Sequence, residues 1–161
     1  MEEEQDDLSR VRAAFPGEIL EAGTPFGDAT IVVRPAALIP LMEALRLAPY
    51  EYALLLDLTV VDYPDRPERF EIVYHLLSIP RNRKIRVKLS VPESAPVVAS
   101  LTGLWKNADW LEREAFDMFG VRFEGHPYLR RLFMYDGFEG YPLRKDYGLR
   151  HRQPLIPLRK P

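Results

Sequence analysis

The chain has 161 residues, 47% of them hydrophobic and 29% charged, with a net charge of −2 and a pI near 6.0. That balance fits one globular domain with a buried core and excludes a fibrous or disordered chain. The lack of cysteine excludes disulfides, thiolate nucleophiles and iron-sulfur clusters ligated by this chain. No apolar run approaches the ~20 residues needed to cross a bilayer. The opening Met1-Glu2-Glu3-Glu4-Gln5-Asp6-Asp7 is acidic where an export signal is basic and then apolar, so the expected location is cytoplasmic.

Leu8, Val11 and Phe15 fall at helical spacing and the pattern stops at Phe15-Pro16-Gly17, which predicts a short amphipathic helix with an acidic exposed face. Residues 18–22 and Thr30-Ile31-Val32-Val33-Arg34 flank a turn-forming segment from Gly23 to Asp28 and predict a strand hairpin. Leu38, Leu41, Met42 and Leu45 predict a helix over 38–47 that starts close to Pro40, because proline lacks an N–H and clashes with the preceding turn. The mostly apolar run Tyr52 to Tyr63 is expected to be the central strand, buried on both faces in its C-terminal half. A polar, proline-rich connection, 64–69, joins it to a strand over 70–78, giving a second hairpin.

From Lys84 to Val91 apolar and polar residues alternate strictly, which turns Ile85, Val87, Leu89 and Val91 toward the core. Lys84, Arg86 and Lys88 line the other face, a positive row suited to a peripheral strand because it resists edge-to-edge pairing. Pro96 is expected to open two helical turns over 97–104. Asn107 then reads as the N-cap of a helix over 108–119, and Gly120 as its left-handed C-terminal stop. The order is αββαβββα, an α+β two-layer domain with a mixed or antiparallel sheet over 1–125, followed by an extended, irregular C-terminal arm over 126–161.

Chemistry concentrates between 107 and 147. Leu111, Ala115 and Met118 form one apolar stripe of the last helix, and Phe116 and Phe119 a second, so this helix has two neighbours. Glu112, Arg113, Glu114 and Asp117 share it, with Arg113 and Asp117 spaced to pair four residues apart.

The run Glu112-Arg113-Glu114-Ala115-Phe116-Asp117-Met118-Phe119-Gly120, followed by His126-Pro127 and Leu129-Arg130-Arg131, resembles the signature of the 30 kDa (C) subunit family of NADH-quinone oxidoreductase, respiratory complex I. Gly140-Tyr141-Pro142-Leu143-Arg144-Lys145-Asp146-Tyr147 resembles the family's closing segment. Asp57 to Tyr63 with Glu68-Arg69-Phe70 resembles its central hairpin, so the likeness covers roughly residues 50 to 150. A run this long with consistent gaps is far more specific than a short motif.

The resemblance implies a non-catalytic subunit of the hydrophilic arm, peripheral on the cytoplasmic side of the bacterial inner membrane and packed on the large 49 kDa-type (D) subunit. It implies no cofactor in this chain, with iron-sulfur clusters, FMN and quinone sites in partner subunits. The expected interface residues are Glu112, Arg113, Glu114, Asp117, Phe119, Gly120, His126, Arg130, Arg131, Arg144, Lys145, Asp146 and Tyr147, with Arg130, Arg131, Arg144 and Lys145 pairing with acidic groups of the large subunit. An equivalent subunit of a membrane-bound hydrogenase or a ferredoxin-fed complex is the alternative.

Charge polarity agrees with docking: residues 1–65 carry 4 basic and 13 acidic side chains, residues 66–161 carry 18 and 11. The bland reading is solvated faces that happen to segregate. Two rival functions fare worse. An enzyme with His126 as base and Glu112, Glu114 or Asp117 as acid or metal ligand lacks paired-ligand spacing, since Glu112 and Glu114 face different ways and His126 stands in a loop context before Pro127. Nucleic-acid binding by the tail, with 8 basic and 3 acidic residues from Arg130 onward interleaved with aromatics, is opposed by Asp136, Glu139 and Asp146 among those aromatics. The arm therefore reads as wrapping a neighbour, the alternative being a tail folded back on its own domain.

Overall fold

Strict alternation of apolar and polar residues from Lys84 to Val91 builds that segment into the sheet. In a computed structural model that describes residues 2–25 and 27–154, with residues 2–5 described only as helical backbone, the chain runs α1 (Glu2–Ala14), β1 (Ile19–Gly23), β2 (Ala29–Val33), a 3-10 turn (Pro35–Ala37) and α2 (Leu38–Arg46). It continues with β3 (Leu54–Asp62), β4 (Phe70–Ser78), β5 (Arg83–Val91), β6 (Val97–Ala99), α3 (Ala108–Phe119) and β7 (Arg122–Glu124). The architecture is α+β, with a mixed five-stranded sheet in the order β1-β2-β5-β4-β3 and a separate parallel pair, β6-β7. Ile85, Val87, Leu89 and Val91 are buried as the alternation requires, against Phe70, Ile72, Tyr74 and Leu76 of β4 and Leu8, Leu41 and Leu45 of the helices.

Both hairpins form in antiparallel register, and Pro40 sits in the first turn of α2, where a missing N–H costs nothing. The acidic face of α1 is only partly exposed. Asp6 pairs at the surface with Arg10, but Asp7 is buried, held by Arg81 at 2.8 Å and the Tyr52 hydroxyl at 3.1 Å. A buried carboxylate is tolerated when charge and hydrogen bonds compensate its lost hydration.

Strand positions differ from the reading of the sequence. β3 is an edge strand, not the central one: Leu55, Leu58 and Val60 face the core while Asp57 and Thr59 meet solvent. Its outer edge is blunted by side chains. Trp105 Nε1 donates to the Ala53 carbonyl and Asn107 Nδ2 to the Leu55 carbonyl, both at 2.8 Å, and a bulge interrupts the register between Leu55 and Asp57. Conversely β5, with its positive row, lies inside the sheet between β2 and β4. Two of the three cations in that row are matched by neighbouring carboxylates: Lys88 reaches Glu71 of β4 at 2.8 Å and Arg86 reaches Asp28, just ahead of β2, at 3.4 Å, while Lys84 is exposed.

Two further corrections bear on the site. Residues 97–104 do not form helical turns after Pro96. Val97-Val98-Ala99 pairs as β6 with β7, and tight turns from Leu101 to Trp105 follow. β-branched residues with a partner strand available favour the extended state. Asn107 occupies the N-cap position of α3 but does not cap it, because its amide is committed to Leu55. Gly120 does terminate α3 in the left-handed conformation, at φ +79°. Among the described residues no helix is long and apolar enough to cross a membrane.

Candidate functional site

α3 carries charges at positions that its neighbours bury: Glu112, Arg113 and Asp117 all lie inside the molecule. Each must find partners, and each does so within this chain. Arg113 does not pair with Asp117 four residues on. Its Nε and Nη2 approach the carbonyls of Arg130 and Arg131 at 3.3 and 3.4 Å, and its guanidinium lies 4.9 Å from the centre of the Trp110 ring.

Asp117 is fully buried, and the arm's backbone curls around its carboxylate. Oδ2 accepts the N–H groups of Leu132, Phe133 and Met134 at 2.9, 2.7 and 2.9 Å, and Oδ1 accepts Arg131 Nη1 at 2.8 Å. Successive N–H groups around one anion make a nest. Burial pushes this carboxyl up, but the Met134 and Phe133 N–H groups, Arg131 and Leu132 more than offset it and hold it below its ordinary range. Arg131 also donates to the Gly140 carbonyl at 2.9 Å and stacks near Phe138 and Tyr141.

The far end of the arm is fastened where α3 stops. Leu143 N donates to the Met118 carbonyl at 3.1 Å, Arg144 Nε donates to the Phe119 carbonyl at 2.6 Å, and the Arg144 guanidinium lies between the Phe70 and Tyr141 rings. A Cβ on Gly120 would stand 2.6 Å from the Tyr141 ring, so glycine is needed there for approach as well as for φ.

One residue further, Lys145 N donates to Asp62 Oδ2 at 2.7 Å, while Arg69 grips both oxygens of Asp62 at 2.7 and 2.9 Å and reaches Asp146 and Glu93 at 2.9 Å. The bidentate bond from Arg69 holds the Asp62 carboxyl below its ordinary range, and the same guanidinium lowers Asp146. Tyr147 stacks on Phe138 and accepts a short hydrogen bond from Gln153.

His126 is satisfied locally. Its Nδ1 accepts the Tyr128 N–H at 3.0 Å, so the ring proton is on Nε2, which faces the Asp109 carbonyl and carboxylate at 3.2 Å. Of the expected interface residues, Glu114, Arg130 and Lys145 are exposed, and Arg130 lies 4.4 Å from the centre of the Tyr128 ring. Asp146 is also half-exposed but is engaged by Arg69. Arg113, Asp117, Phe119, Gly120, Arg131, Arg144 and Tyr147 belong to the internal frame just described, and Glu112 is buried against Ser100 and Leu101. Sequence reasoning missed three sets of residues here: the Asp62, Arg69 and Glu93 network, Ser100 beside Glu112, and the exposed Trp110, Tyr128 and Phe133. An arginine directly ahead of a buried strand was the available signal for the first. Among the described residues no group of three or more His, Asp and Glu side chains is placed to hold a metal ion.

The model of the family described as "Respiratory-chain NADH dehydrogenase, 30 Kd subunit" matches residues 31–153, and the chain belongs to that family. It is 50% identical over 138 residues to the C subunit of the NADH-quinone oxidoreductase of Caulobacter vibrioides, covering 85% of this chain and 69% of that protein. It is 40% identical over 149 residues to the corresponding C subunit of Citrifermentans bemidjiense, covering 92% of each. Among solved structures it resembles the trypsin-resistant fragment (1-134) of Nqo5, with a TM-score of 0.67 and 33% identity over 78% of this chain and 98% of that one. A chain of the membrane-bound sulfane sulfur reductase, an archaeal respiratory membrane complex, shares the fold at a TM-score of 0.77 and 23% identity, over 91% of this chain and 86% of that one.

Proposed function

We propose that this chain is a non-catalytic structural subunit of the hydrophilic arm of a proton-translocating NADH-quinone oxidoreductase. It sits peripherally on the cytoplasmic side of the membrane, docks on the large 49 kDa-type subunit and supports electron transfer from NADH to quinone. One observation carries this reading: Arg113 and Asp117 of α3 are turned inward and fasten residues 130–134 of the same chain. That frame fixes Trp110, Tyr128 and Phe133, exposed by 58, 58 and 62%, together with Arg130, on the outside. Exposed aromatics and arginine on a rigid support lose little entropy on binding and are the usual anchors of protein interfaces. Arg130, Lys145 and Glu114 supply the outward charges, and Arg113, Asp117, Arg131 and Arg144 act by holding the surface in shape.

The domain over 1–125 and the arm over 126–161 then work as brace and fastening. FMN, iron-sulfur clusters and quinone belong to partner subunits, and this chain contributes stiffness, because electron transfer needs cofactors held at fixed spacing. The relatives named as NADH-quinone oxidoreductase subunits support the parent complex.

The test is co-purification of the large subunit with Tyr128→Ala and Phe133→Ala chains. Both side chains are largely in solvent, so truncation leaves the core intact. The double variant is expected to lose affinity by tenfold or more, roughly 1.4 kcal/mol. Unchanged retention of the large subunit would overturn the assignment of this surface.

A further inference from the structure

Glu112 is the one fully buried acid of α3 whose hydrogen-bond donors, among the described residues, are all neutral. Its Oε1 accepts the Leu101 N–H at 2.6 Å and its Oε2 accepts the Ser100 hydroxyl at 2.7 Å. From β4, the Tyr74 hydroxyl is buried without a hydrogen bond, and it is held far above its ordinary range by burial and by Glu112. From α3 itself, Asp109 adds a like charge, and His126 packs on the Asp109 carboxylate. Arg113, the neighbouring cation on α3, is turned to the carbonyls of the arm.

The Ser100 Oγ is in turn 2.8 Å from the Thr102 Oγ1. Thr102 lines an open cleft of about 290 Å³ with Gly103, Lys106, Asp109, Gly125 and Pro127. The buried carboxylate is therefore joined to the surface by two hydroxyls in a row, each within hydrogen-bond distance of the next. Such a chain polarises cooperatively and conducts protons without large motion.

We propose that Glu112 is a proton-binding site that exchanges with solvent through the hydroxyls of Ser100 and Thr102. In the charged state Ser100 donates to the carboxylate and Thr102 donates to Ser100. A proton arriving from the cleft binds the Thr102 oxygen, the Thr102 proton passes to Ser100, and the Ser100 proton passes to Glu112. Each hydroxyl ends with one proton, the carboxylate becomes a neutral acid, and the direction of both hydrogen bonds is reversed. Desolvation is the dominant influence on the group and pushes it up to about 7, so both states are populated near neutrality. The site belongs to this chain alone and does not depend on which partner the surface binds.

The experiment is a carboxyl NMR titration of the intact chain with isotope-labelled glutamate, using Glu112→Gln to assign the signal. One glutamate is expected to titrate near 7 and to vanish in that variant. Thr102→Val is expected to keep the midpoint but slow proton exchange at least tenfold. Ser100→Ala, which removes a donor to the anion, is expected to raise the midpoint. A wild-type chain whose glutamates all titrate in the ordinary range overturns the site. Exchange in Thr102→Val at the wild-type rate, or a Ser100→Ala midpoint that does not move, overturns the relay.

Discussion

Asp117 shows how much one side chain can organise. Its carboxylate takes three consecutive backbone N–H groups and one arginine, in a place closed to solvent. Replacing it with alanine strands those donors and leaves Arg131 without its charge partner, at an expected cost of about 3 to 5 kcal/mol. Urea unfolding measures the loss, and amide exchange at Leu132, Phe133 and Met134 should accelerate more than exchange in β4. Equal protection in the variant would refute the nest. Because the folded carboxyl lies below its unfolded value, its contribution is complete above the unfolded value near 4 and is lost as pH falls through the folded one. Glu112 has the opposite sign. A carboxyl moved from 4.5 to about 7 binds its proton more tightly when folded, so stability should fall by about 3 kcal/mol as pH rises across that interval. Unfolding of Glu112→Gln measured at about pH 5 and about pH 8 should show this slope removed, and a slope equal to that of the unmodified chain would count against the shift.

At the scale of elements, α3 and its glycine stop show local and tertiary forces agreeing. Gly120→Ala should cost upwards of about 1 kcal/mol from the left-handed backbone alone, and more because the new methyl would meet Tyr141 and Arg144. Thermal unfolding gives the magnitude, and a Tyr141 ring signal unchanged by the substitution would contradict the close approach. Gly120, the strict alternation of β5 and the stripe of α2 were legible because each rests on neighbours within a few residues. β6 and β7 were not, since three residues carry no detectable period and their pairing joins residues more than twenty apart. The place of β3 at the edge and of β5 inside was equally hidden, because strand order is decided by long-range pairing and not by composition. Arg113 and Asp117 had helical spacing for an ion pair, yet backbone groups of the arm outcompeted that weak surface-type interaction. The structure brings several residues of the motif together at this site, but which of them face inward depends on a segment folding back from 15 residues downstream.

For the whole molecule, the sheet and helices form a stiff block, and the arm is riveted to it at Asp117, at the end of α3 and at the Asp62, Arg69 and Asp146 cluster. Three fastenings between Arg131 and Asp146 give an otherwise irregular segment a fixed shape, which a docking surface requires if binding is not to spend its energy on ordering. Of the cations in the basic half, Arg69 pairs with Asp62 of the acidic half, Arg131 and Arg144 pair with Asp117 and Glu93 of their own half, and Arg130 and Lys145 remain outward. The most direct test of the bracing role is affinity purification of the tagged chain from solubilised membranes, with mass spectrometry of what comes with it. The expected result is a large 49 kDa-type redox subunit in stoichiometric amount together with an electron-input module. Recovery of this chain without any large redox subunit would contradict the account.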